Sequence, residues 1–182
     1  MSAYSRLVYT DFVLAVLLTV LAPLALLVWS AARKNKPLIG TMIAYWRVSA
    51  LLMVAVYLLI GGVPIAYLAG VAARVFIPLS LFWPLGETRR WDSLAGRVFV
   101  YWRRVVTLYC GFGVLVTAPL LGCTLRWAVS PRCEVWRGPP LEFSGVVHGG
   151  LEPSLAANLG WGGLIIYASV ATWRLVSTLR AR

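Results

Sequence analysis

Arg74 stands alone in the middle of an apolar run, residues 64–86. An ionisable side chain at membrane depth generally has a partner or a task. On an insertion scale it costs about 2.5–3.5 kcal/mol, and the ten Leu, Ile, Val and Phe residues of the run return about 0.3–0.6 kcal/mol each, so the segment can still insert. Asp11, at the mouth of the first apolar run, is the nearest plausible counter-charge within the chain. Pro78 also removes the amide that would have bonded the Arg74 carbonyl, freeing that oxygen. Two readings follow for the guanidinium. It caps freed carbonyls, or it meets an acid of another subunit or the headgroup of a lipid or cofactor. Arg47, a few residues inside the second apolar run, divides in the same way between snorkelling to the interface and contacting a phosphate-bearing lipid or ligand.

The remaining reactive side chains are few. Cys123 and Cys133 bracket the start of a breaker-rich segment and could form a disulfide in an oxidising compartment, if Cys123 is not held in the membrane. Cys110 falls within an apolar run and reads as a small packing residue. With three cysteines out of metal-ligand spacing and one histidine, His148, the chain supplies no zinc site of its own, and a lone loop imidazole reads as solvated. There is no phosphate-binding glycine loop, no carboxylate pair inside an apolar run and no nucleophile beside a base. The expectation is therefore no enzyme, no catalytic or metal-binding residue and no cofactor.

The elements that must position these residues are membrane helices. Sixty per cent of the 182 residues are hydrophobic and 13% charged, and the mean hydropathy is +0.81. Those values describe an integral membrane protein with one membrane domain, residues 1–182. A net charge of +11 would suggest nucleic acid in a soluble protein, but here the basic residues flank apolar runs, where they meet anionic headgroups. The fold class expected is all-α: a bundle of five transmembrane helices over about 12–32, 42–60, 64–86, 105–125 and 155–173. Were Arg74 at a surface, residues 75–86 would offer only about 18 Å of helix against a core of about 30 Å, too short to cross.

Orientation follows from charge. The segments 33–36, 47, 89–104 and 174–182 carry twelve Lys and Arg, while Arg6 and the 126–137 stretch carry four. By the positive-inside rule the N-terminus is outside and the C-terminus inside. Between 87 and 104, Trp91, Leu94, Val98 and Tyr101 fall at helical spacing, predicting a short amphipathic helix in the inner interface. Residues 126–154, dense in Pro and Gly, predict an irregular outer loop. Tyr45-Trp46-Arg47, Tyr101-Trp102-Arg103 and Thr172-Trp173-Arg174 all fall at the inner interface, where an aromatic belt accounts for them without a duplicated transporter half. Pro23, Pro78, Pro84 and Pro119 should bend helices. The pairs Ala66/Gly70, Ala69/Ala73 and Ala156/Gly160 permit close helix contact, a spacing that also arises by chance.

Through Tyr45-Trp46-Arg47-Val48, Tyr57-Leu58-Leu59-Ile60-Gly61-Gly62-Val63-Pro64 and Arg74-Val75-Phe76-Ile77-Pro78, the chain resembles a cyanobacterial family of small membrane proteins classed as a domain of unknown function. The resemblance covers roughly the first 125 residues. It implies a plasma or thylakoid membrane and no assigned site residues. The function expected is a non-enzymatic accessory, assembly or structural component of a membrane complex, contacting lipid and other membrane subunits or itself. The alternative is a small oligomeric transporter or channel drawing an anion to Arg47 and Arg74.

Overall fold

The computed structural model describes residues 2–82, 93–125 and 130–180. Among these, every regular element is helical, and five helices are long and apolar enough to cross a bilayer. Helix α1 runs Ala3–Ala32, α2 Lys36–Ile60 and α3 Ile65–Phe82. Helix α4, Leu94–Thr117, continues through a 3-10 turn at Pro119 and a last turn to Leu125. Two short helices follow, α5 (Pro131–Val135) and α6 (Gly138–Val147), before the long α7 (Pro153–Arg180).

Local chemistry sets the ends. The Ser2 hydroxyl accepts from the Ser5 amide, so α1 starts nine residues before the apolar run and takes in Arg6, Thr10 and Asp11. Asp11 is thus inside a spanning-length helix rather than at its mouth. Asn35 caps α2 and Ser93 caps α4 in the same way. Helix α2 closes with the Gly62 amide on Leu59 and the Val63 amide on Leu58. This paired closure needs a left-handed residue just past the end, and Gly62 supplies it at φ 71°.

Three expectations are corrected. Leu94–Arg104 is not a separate interfacial helix; it is the first part of α4, continuous with the apolar stretch. Residues 87–92 of that expected helix lie outside the described residues, as do Pro84 and residues 83–86 of the third apolar run. The 126–154 stretch is mostly helical where it is described, irregular only around 148–152, because its prolines start helices instead of breaking them. Pro131, Pro139 and Pro140 occupy first-turn positions, where a missing amide costs nothing. Lastly, Tyr45 and Trp102 do not lie in a surface belt. Both are buried between helices, their rings edge-on at 5.1 Å.

Those two aromatics answer a defect in α1. Pro23 has no amide for the Thr19 carbonyl, and residues 16–21 widen into a π-turn that leaves the Leu18 carbonyl spare as well. The Tyr45 hydroxyl donates to Thr19 O at 2.7 Å, and Trp102 Nε1 donates to Leu18 O at 2.9 Å. Around this point Leu26, Met42, Ile77, Phe99 and Val106 complete the main core. A second cluster joins α2 to α3 through Leu51, Ala55, Ala69 and Ala73. Small residues set this spacing, as lipid offers no hydrophobic drive for association and close backbone packing must replace it. The same holds at α7, where Ala156 and Gly160 are buried and a Cβ on Gly160 would come within 2.7 Å of the Leu58 side chain.

Helices α5 and α6 form a cap over one end of the bundle. Cys133 of α5 is bridged to Cys123 at the end of α4. Trp136 Nε1 donates to the Tyr4 hydroxyl (2.8 Å), the Tyr67 hydroxyl donates to Cys133 O (2.8 Å), and Arg137 Nε donates to Leu59 O (3.1 Å). The cap therefore rests on α1, α2, α3 and α4 together.

Candidate functional site

Beneath the cap, four elements converge on one ion pair. Arg74 projects from α3, Asp11 from α1, Tyr109 from α4 and Trp136 from the turn between α5 and α6. Arg74 Nη2 donates to Asp11 Oδ2, and the two side chains are only 9% and 11% exposed. Tyr109 Oη lies 3.0 Å from both Asp11 Oδ1 and the Asp11 backbone oxygen and directs its single proton to them. The Arg74 guanidinium carbon sits 6.0 Å from the centre of the Trp136 ring. Room for the arginine comes from Gly113, one turn beyond Tyr109, where a Cβ would approach Arg74 Nε to 2.6 Å. Arg74 Nε is buried without a hydrogen-bond partner.

The arrangement neutralises a buried charge inside the chain. A lone guanidinium cannot shed its proton to escape a low dielectric, so it needs a carboxylate in contact. The structure brings Arg74 and Asp11 together; Arg47 is not part of the group and lies exposed on α2. Sequence reasoning missed Tyr109, Gly113 and Trp136. A usable signal for the first two was their spacing of four on one apolar helix, which puts a hydroxyl beside a gap.

Other candidate residues sit elsewhere. Cys110 is buried in the main core as a free thiol. His148 is not merely solvated: Nε2 is 3.2 Å from the Tyr57 hydroxyl. Among the described residues no group of three His, Cys, Asp or Glu could hold a metal.

Alongside the ion pair, α1 and α2 part to leave a slot of about 360 Å³. Phe12, Val16 and Val20 line one wall, Met53 and Val56 the other, and Pro139, Pro140 and Phe143 of α6 close the capped end. Asp11 and Arg74 border it near that end, where their charges already satisfy each other.

A helical bundle with five apolar helices of spanning length, folded about an internal Arg–Asp pair, defines the class: a multi-pass membrane protein. The chain belongs to the family described as protein of unknown function (DUF3177), which matches residues 5–180. The match thus extends past the first 125 residues and takes in the cap. A comparison with curated proteins finds no match, and a comparison with solved structures finds none.

Proposed function

We propose that this protein is a non-enzymatic accessory or structural subunit of a membrane complex, in the plasma or thylakoid membrane of a photosynthetic bacterium. One observation carries the reading. Helix α7 packs on α2 and its closing Gly61 through Ala157, Gly160 and Gly163 and leaves its other faces exposed. On one of those faces Asn158, Gly162, Ser169 and Thr172 recur at helical spacing. Polar and small side chains on a membrane helix serve as contact points for another helix, since hydrocarbon gives them no partner. The occupant of this face is a helix of another membrane subunit.

In this reading the cap and the N-terminus are outside and the C-terminus is inside. Two independent features support that orientation: the distribution of basic residues, and a disulfide in the cap, which persists in an oxidising compartment. Against the anion-transport alternative stands the pairing of Arg74 with Asp11, which leaves it no net charge to offer a solute.

The test is purification in a gentle detergent from native membranes, with an absorption spectrum of the product. The expected result is co-purifying membrane subunits, lost when Gly162→Leu and Asn158→Leu are combined. A colourless, self-contained oligomer whose anion flux in liposomes disappears with Arg74→Gln would overturn the proposal in favour of transport.

A further inference from the structure

The slot between α1 and α2 has the dimensions of one hydrocarbon chain. Its α1 wall extends from Val8 to Val20, about 18 Å of helix rise. Half a bilayer core is about 15 Å deep, so the slot is as long as one leaflet of hydrocarbon. Its volume of about 360 Å³ along about 18 Å of helix is room enough for a single extended chain.

The lining agrees with that occupant. Apart from the ion pair, Thr19, Ser49 and the indole of Trp46, whose Nε1 is buried without a hydrogen-bond partner, the walls are built almost wholly from aliphatic and aromatic groups. The Thr19 hydroxyl donates to Ala15 O and the Ser49 hydroxyl to Trp46 O, so neither asks for a ligand. With Asp11 and Arg74 paired, the slot offers no net charge to a polar guest. The α2 side opens past Ala50 and Met53, both exposed on the outside of the bundle, where hydrocarbon is the surrounding medium. An apolar void of about 150 Å³ already takes up benzene from water. A slot more than twice that size, open to lipid, would otherwise leave its lining without contact atoms.

We propose that the slot between α1 and α2 is a lipid-binding site that takes one acyl chain of a bilayer phospholipid, lying along the helices with its chain against Val16, Val20, Met53 and Val56. The site holds a chain whether or not α7 recruits another subunit, and it goes beyond the role in assembly.

Photo-crosslinking tests it. The full-length protein is reconstituted in vesicles of phosphatidylcholine carrying a diazirine midway along one acyl chain, irradiated, and mapped by peptide mass spectrometry. Labelling is expected on the slot-lining residues Val16, Val20 and Val56 as well as on the outward-facing Leu17 and Leu24. Two filling variants, Ala50→Trp and Val16→Trp, place bulk on opposite walls. Each should lose label at the slot residues left unchanged while Leu17 and Leu24 keep theirs, with an intact Cys123–Cys133 bridge confirming the fold. Wild-type labelling confined to outward-facing residues would overturn the proposal without recourse to any variant. So would slot labelling that survives both fillings in folded protein.

Discussion

The Arg74–Asp11 pair makes an asymmetric prediction. Asp11→Leu leaves a guanidinium that stays charged in a site less than one-tenth exposed, and the loss should reach the upper part of the roughly 3–5 kcal/mol seen when a buried pair loses one partner. Arg74→Met leaves a carboxylate with two remedies. It can take up a proton, and Tyr109 still donates to it from 3.0 Å. Its loss should therefore be smaller, about 2–3 kcal/mol. The double variant removes both charges and keeps apolar volume on each side. Exchanging a whole buried pair for apolar side chains is often neutral or stabilising, so its stability should return to within about 1 kcal/mol of the native chain. The coupling between the two sites is then about 5–8 kcal/mol: about 4 kcal/mol from unit charges about 4 Å apart at an effective dielectric of about 20, and the rest from the group that each single variant strands. Unfolding by SDS titration in mixed micelles, followed by tryptophan fluorescence, measures all four corners of the cycle. Additive losses, leaving the double variant the least stable of the set, would refute the claim that the two residues form a self-contained neutral unit.

Three other outcomes are expected. Cys133→Ser should abolish the mobility difference between reduced and oxidised samples on a denaturing gel. By loop-closure entropy across a separation of 10 residues it should lower stability by about 2.7 kcal/mol. Tyr45→Phe keeps the ring but strands the Thr19 carbonyl in a buried position, and should cost about 1–3 kcal/mol in the same SDS titration. If the proposed orientation holds, Lys34→Cys and Glu142→Cys should react with an impermeant maleimide from opposite sides of sealed vesicles; labelling of both from one side would reverse it.

Much of this fold was legible because apolar length and flanking charge are strong signals. All five apolar runs correspond to helices of spanning length, although the third is described only as far as Phe82. Helix starts were harder. Ser5, Arg6, Thr10 and Asp11 look like a polar flank, yet the Ser2 cap draws them into α1, and there Asp11 faces a partner instead of water. Elimination alone pointed to Asp11 as the counter-charge of Arg74, because so few acids were available. The rest of the group was hidden because hydroxyl, indole and glycine count as ordinary bundle residues until tertiary packing brings them together. Proline misled in two directions. In α1 it predicted a bend, without showing that two other helices would supply the missing donors. In the cap it signalled disruption where it occupies first-turn positions.

Those donors bear on how the protein is made. The spare oxygens of Leu18 and Thr19 are answered by groups that leave the ribosome later, first the phenol of Tyr45 and then the indole of Trp102. Until both arrive, the middle of α1 carries two naked dipoles with no water at hand to solvate them. Helix α1 thus emerges before α2 and α4 yet is fixed only once both have arrived, a keystone set after its neighbours stand.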